Sequence, residues 1–205
     1  MLAARLAQAL DVEGKIPRAL ETLGPMGGRD VALVDAPDGI RARQLTDLGA
    51  RVTPVTSTGA ARFDAPDGSA DAVVALWSSF RGTPSDEIAE AARMLRPGGR
   101  LLVVHDYGRD DVSRLRGADL PEYGTWGRRD GPFLRGGFRI RVLHCWWTFD
   151  DLYSTRGFLS EAFGPEGAAL ADELKRPLLS WNVAVYHRTK GDTSAATGPL
   201  AIVSE

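Results

Sequence analysis

The stretch from Ser69 to Asp106 restricts the fold of this chain more than any other. Ala72–Trp77 is a short apolar run bounded by Asp-Gly-Ser and Ser-Ser, and it reads as a buried strand. Ile88, Ala91, Ala92 and Leu95 follow at i, i+3, i+4 and i+7, the spacing that puts one apolar stripe on a helix. Pro84-Ser85-Asp86-Glu87 is a helix start, with Ser85 or Asp86 as cap and acids at the positive end of the dipole. Pro97-Gly98-Gly99 predicts its end, with Arg93 and Arg96 in the last turn. Leu101–Val104 is then a second strand, apolar on both faces as parallel strands are. Strand, helix and strand joined in this way make a right-handed crossover, so the two strands run parallel. Ile88, Ala92 and Leu95 are expected to be buried beneath the helix.

Composition sets outer bounds. In 205 residues, 25 Lys and Arg nearly balance 27 Asp and Glu. A net charge of −2 provides no field for a nucleic-acid partner. One cysteine, Cys145, excludes an internal disulfide and fits a reducing, cytoplasmic setting. No apolar run approaches the roughly 20 residues that span a bilayer, so no membrane partner is expected. The opening MLAARLAQAL has helical spacing at Leu2, Leu6, Ala9 and Leu10 and reads as an amphipathic helix. The expectation is one domain over residues 1–189, with residues 1–28 as a helical lead-in and 190–205 as a poorly ordered tail. A small molecule is the expected partner, and a homodimer stays open.

Taken in order, Lys15–Leu23 is a second helix and Asp30–Val34 the first strand of the sheet. The turn Asp35-Ala36-Pro37-Asp38-Gly39 leads into a helix, with Asp38 as N-cap and Gly49 past its end. Arg51–Val55 is a strand that Pro54 marks as an edge. One weak strand at most fits before residue 69, around Ala61-Arg62-Phe63. After Asp106 come a helical turn at Asp111–Arg116 and a helix or loop over Trp126–Leu134. A long strand follows within Gly137–Phe149, then two helices, then a last strand at Trp181–His187. On the long strand, Ile140, Val142 and either His144 or Trp146 share one face, and Arg139 and Arg141 lie on the other as a solvated face. Strands alternating with helices and ending in an antiparallel pair make an open, doubly wound α/β sheet.

Ligands of such sheets bind outside the carboxyl ends of the strands, at the switch point of strand order. That points to Asp35–Gly39, Thr56-Ser57, Trp77-Ser78-Ser79 and His105-Asp106-Tyr107. The succession GARVTPV, DGSADAVVAL and EAARMLRPGGRLLVV resembles the class I S-adenosylmethionine-dependent methyltransferases over roughly residues 30–188. The resemblance implies a Rossmann-like, mostly parallel sheet with a late antiparallel pair and a short or absent third strand. It also implies S-adenosylmethionine as the cofactor, with Asp35, Ala36, Asp38, Gly39, Thr56, Trp77 and Ser78 as the positions that would meet it.

The cofactor motif departs from the family's pattern. Leu33 stands at the usual acidic position, and Asp35 and Pro37 stand where the first two glycines of a Gly-x-Gly-x-Gly turn belong. Proline fixes φ and removes an N–H, and Asp35 adds a charged side chain where backbone should approach ligand. Thr56 stands in place of the ribose-binding acid, and a hydroxyl cannot accept two ribose hydroxyls as a carboxylate does. His105 and Asp106 are weak catalytic candidates, because adjacent strand residues point to opposite faces. The same geometry splits His144 from Cys145, so no metal site is expected and Cys145 is read as a core thiol. The expected function is a methyltransferase-fold protein with a degenerate S-adenosylmethionine site, inactive or binding another small ligand. The alternatives are an active methyltransferase of unread substrate and a non-catalytic interaction module.

Overall fold

A computed structural model describes residues 2–36, 39–58, 62–117 and 123–191. Six strands form one sheet in the order β2-β1-β3-β4-β6-β5. They are β1 (Asp30–Val34), β2 (Arg51–Val55), β3 (Ala70–Leu76), β4 (Leu95–Asp106), β5 (Arg139–Thr148) and β6 (Leu178–Thr189). The first four pair in parallel, and β6 runs antiparallel between β4 and β5. Val73 lies opposite Leu101 and Leu76 opposite Val104, so the organising unit is the expected parallel pair. Pro54 sits on β2 at one edge of the sheet. Where the resemblance places a strand between β2 and β3, the described residues hold only an isolated bridge, Ser57 with Phe63.

Period-two alternation divides the strands between two cores. Val31, Leu33, Val74, Leu102, Val104, Val183 and Val185 face one side. There they meet α2 (Lys15–Leu23) through Ile16 and Leu20 and α3 (Gly39–Asp47) through Leu45. On the same side α8 (Leu152–Glu173) contributes Phe158 and Leu159, and the stripe Leu2, Leu6 and Leu10, begun on α1 (Leu2–Ala9), packs from outside. Ala32, Val34, Val73, Val103, Ala184 and Tyr186 face the other side. They are covered by Ala91 and Met94 of α4 (Ser85–Met94), by Trp126 of α6 (Tyr123–Trp126) and by Phe133 of α7 (Pro132–Arg135). The central strands are therefore buried on both faces, which is why they carry no polar alternation.

Several local expectations need correction. Helix α4 ends at Met94, so Leu95 and Arg96 already belong to β4 and only Arg93 lies in the last turn. The buried helix residues are Ala91 and Met94, with Ile88 and Ala92 half-buried. Pro84 occupies the N-cap and neither Ser85 nor Asp86 caps the helix; instead the Glu87 carboxylate accepts the Phe80 N–H of the preceding loop. The two late helices are one element, kinked at Gly164 (φ 62°, ψ −140°) before Pro165. The 126–134 stretch is a pair of short helices, while α5 forms at Asp111–Arg116 as expected. On β5 the face of Arg139 and Arg141 is exposed only at that end; farther along it buries Leu143, Cys145 and Trp147. The expected roles of Pro37 and Asp38, and of residues 192–205 of the tail, lie outside the described residues.

Leu95 is 2% exposed and packs in the core beneath α4. Leu95→Ala is expected to cost roughly 2–5 kcal/mol in urea denaturation; a loss below about 1 kcal/mol would place that side chain outside the core.

Candidate functional site

The carboxyl ends of β1, β2, β3 and β4 meet at one rim of the sheet, and the four sequence-predicted stretches follow them there. Asp35 follows β1 in the left-handed region (φ 46°). Its backbone N–H donates to the Val55 carbonyl at 2.9 Å, and its carboxylate accepts the Ser57 N–H at 2.9 Å. The other carboxylate oxygen takes the Ser79 hydroxyl, so Asp35 ties the end of β2 to the loop after β3. Ser78 donates its hydroxyl to the Val34 carbonyl at 3.0 Å. Ala36 packs on the α2–α3 side of the core. Gly39 is the exposed first residue of α3, and Thr56 is exposed just past β2.

Trp77 dominates the rim. It adopts φ 53°, a left-handed conformation that is a genuine outlier for a bulky residue. Such a conformation costs on the order of 1–3 kcal/mol and persists where the surroundings over-determine it. They do so here. The Trp77 backbone N–H donates to the Val104 carbonyl at 2.9 Å. The indole stacks on Trp181 with centroids 5.4 Å apart, and the Arg41 guanidinium lies 4.7 Å over its ring. Its Nε1–H donates to Asp106 Oδ1 at 2.9 Å.

Asp106 is the hub of this arrangement. Oδ1 also accepts the Trp181 Nε1–H at 2.9 Å, and Oδ2 pairs with Arg116 of α5. Trp181, Arg41 and Arg116 were not singled out from sequence, whereas Ser79 lies in the Trp77-Ser78-Ser79 stretch expected at the rim. Trp181 had a usable signal: an antiparallel last strand begins at the rim where its parallel neighbours end. The arginines had none, since their roles depend on how α3 and α5 fold back.

His105, the neighbour of Asp106, points to the opposite face and is fully buried. Its ring packs edge-on to Trp126 at 4.8 Å, near Tyr123 and Phe133, and neither ring nitrogen has a hydrogen-bond partner of good geometry. Burial pushes its pKa down from the ordinary 6.5 to about 4, and the Arg81 charge adds to this. Backbone groups of Ser79 and Phe80 beside the ring work in the other direction. The two catalytic candidates are thus not brought together. His144 is exposed and bonded to Asn182 at 2.7 Å, whereas Cys145 is buried, its thiol pushed up to about 12 mainly by burial. Among the described residues no cluster of three metal-ligating side chains occurs.

Two cavities flank the hub. One, of about 40 Å³, lies between Leu20, Arg41, Leu45 and Trp77. The other, of about 200 Å³, lies past β4 against Tyr107, Arg109, Arg116, Tyr123 and Trp181.

Two outcomes are expected from this geometry. Asp106→Ala strands two indole N–H groups and Arg116, so it should cost roughly 2–5 kcal/mol and shift tryptophan emission. An unchanged emission spectrum and stability would refute the hub. His105 is harder to protonate in the folded chain than in the unfolded one, so the unfolded state binds more protons between about pH 6.5 and 4. Stability contributed by the neutral ring is present above that window and falls through it as pH drops, by about 3 kcal/mol at most. His105→Leu should flatten that part of the profile measured by urea denaturation; the half-buried His187, whose pKa burial also lowers, keeps a residual slope.

Neither a family model nor a curated protein matches the sequence. Solved structures do match in shape. A proposed methyltransferase from an antibiotic biosynthesis pathway of Anabaena variabilis superposes with a TM-score of 0.56 at 13% identity, over 88% of this chain and 98% of that one. A proposed type II methyltransferase of Anaeromyxobacter dehalogenans gives a TM-score of 0.51 at 18% identity, over 86% of this chain and 96% of that one. With its parallel β2-β1-β3-β4 block closed by the antiparallel β6-β5 pair, the chain has the fold of the class I S-adenosylmethionine-dependent methyltransferases.

Proposed function

We propose that this chain is a non-catalytic member of the methyltransferase fold whose cofactor crevice is closed by its own side chains. The observation that carries the reading is the Trp77 indole, stacked on Trp181, anchored to Asp106 and covered by Arg41 at the switch point of the sheet. The cavity beside it, about 40 Å³, holds a few waters at most, far less than an adenosyl or methionine group needs. Asp35 supports the same reading. Its carboxylate bridges Ser57 and Ser79 across the rim, where the family's glycine turn would leave backbone open to ligand. The residues present therefore do not fit S-adenosylmethionine. His105, sealed among aromatic rings, has no route to a substrate proton.

Replacement of the ribose acid by Thr56 removes about two charge-assisted hydrogen bonds, each worth roughly 1.5–3 kcal/mol. That turns micromolar affinity into about millimolar. A different small ligand has a specific observation in its favour. The cavity of about 200 Å³ past β4 is walled by Tyr107, Tyr123 and Trp181 and carries Arg109 and Arg116. Asp106 and Asp110 also line it and Arg116 is paired with Asp106, so Arg109 is the cation there outside the hub.

Isothermal titration with S-adenosylmethionine and with its demethylated product tests the proposal. No saturable heat is expected up to about millimolar ligand. Binding is expected to appear only when Trp77→Ala, Asp35→Gly, Pro37→Gly and Thr56→Asp are combined. Saturable micromolar binding by the unmodified chain would overturn the proposal and make an active methyltransferase the better reading.

A further inference from the structure

The two edges of the sheet are not equivalent. Strand β2 carries Pro54, which has no N–H to offer a further strand. Strand β5 has no proline, and half of its free edge is occupied. The His144 carbonyl takes the Lys15 ammonium at 2.8 Å, the Trp146 carbonyl takes the Asp11 N–H at 3.3 Å, and Leu10 bridges Trp147 in antiparallel register. Those bonds identify the even-numbered residues as the ones whose backbone points away from β6. By the same alternation Ile140 and Val142 point outward, and no described residue bonds their backbone N–H or C=O groups.

Beside this open half lies a groove of about 420 Å³ between β5 and α2, lined by Lys15, Arg18, Thr22, Arg141 and His144. Arg139 projects from the same face as Arg141 one pleat away. Arg18, Arg139 and Arg141 pair with no carboxylate among the described residues. The acids nearby are committed elsewhere: Glu13 to Lys15, Asp11 to the N–H groups of Lys15 and Ile16, and Glu21 to the Met26 N–H.

From this we infer that the Arg139–Leu143 half of β5, with its groove against α2, is a docking edge for an extended acidic segment of another protein. The segment adds as a strand to the outward N–H and C=O groups of Ile140 and Val142. Its carboxylates, spaced two residues apart, fall on the face of Arg139, Arg141 and Arg18. A second copy of this chain is the poorer occupant. Antiparallel pairing of two β5 edges over this half sets arginine opposite or diagonal to arginine. The inference does not depend on whether the crevice at the other end of the sheet is closed.

The test uses the intact chain and short capped, fluorescently labelled peptides that alternate glutamate, glutamine or lysine with valine, read by anisotropy at low salt. The glutamate peptide is expected to bind at least about tenfold tighter than the glutamine peptide. Combining Arg18→Glu with Arg141→Glu, both at exposed positions, should lose roughly tenfold and bring in the lysine peptide instead. Val142→Pro removes only an outward N–H, leaving the ladder to β6 intact, and should abolish binding with the arginines in place. Equal affinity for the glutamine peptide, indifference to Val142→Pro, self-association through this edge in sedimentation, or tighter binding of a single-stranded oligonucleotide would each overturn the inference.

Discussion

A single carboxylate organises the functional end of this molecule. Asp106 ends the central strand β4, is almost fully buried, and accepts from two indoles while pairing with Arg116. A buried carboxylate is costly unless its lone pairs are filled, and here three donors fill them. Those donors come from three separate elements: the loop after β3, the start of β6, and α5. The interaction therefore fixes the loop after β3 in its left-handed path, seats Trp77 against Trp181, and holds α5 over the end of the sheet. Break it and the left-handed Trp77 loses the anchor of its indole, keeping only its backbone bond to Val104, its stack on Trp181 and the Arg41 guanidinium.

The same rim is where an open α/β sheet offers its ligand crevice. Parallel strands with a switch point leave a crevice because the helices on either side of it diverge. In this chain that rim carries an indole pair, a guanidinium over one ring, and a carboxylate that bonds to two strand ends. Each is held by partners inside the protein. The opposite face of β4 follows the same economy: His105 gives up solvation to pack against Trp126, and burial keeps it neutral at physiological pH.

The edges of the sheet carry a different chemistry from its centre. Central strands can be apolar throughout because helices cover both faces. An edge must deal with unpaired backbone groups, and β2 and β5 do so differently, one with a proline and the other with strapping from the α1–α2 connection over only half its length. Arginines at the open half of β5 keep it in water and at the same time give it a sign.

Local pattern alone determined the βαβ unit, the parallel pairing of β3 with β4, the helices at Lys15–Leu23 and Asp111–Arg116, the late strand pair and the open α/β sheet. These follow from periodicity, caps and the near-obligatory handedness of the crossover, all of which act over a few residues. Sequence also located the rim positions Asp35, Trp77 and Ser78, because ligand crevices lie at strand ends. Tertiary structure decided what those residues do there. Whether Asp35 opens toward a ligand or bonds to Ser57 and Ser79 depends on residues 22 and 44 positions away. Which face of β5 is buried depends on how far α1 and α2 reach along it, so Arg141 and Cys145 differ in exposure on one face. That Asp106 gathers Trp77 and Trp181 could not be read from the chain. Contacts over 29 and 75 residues leave no local periodicity, and only the packed sheet brings their donors to one carboxylate.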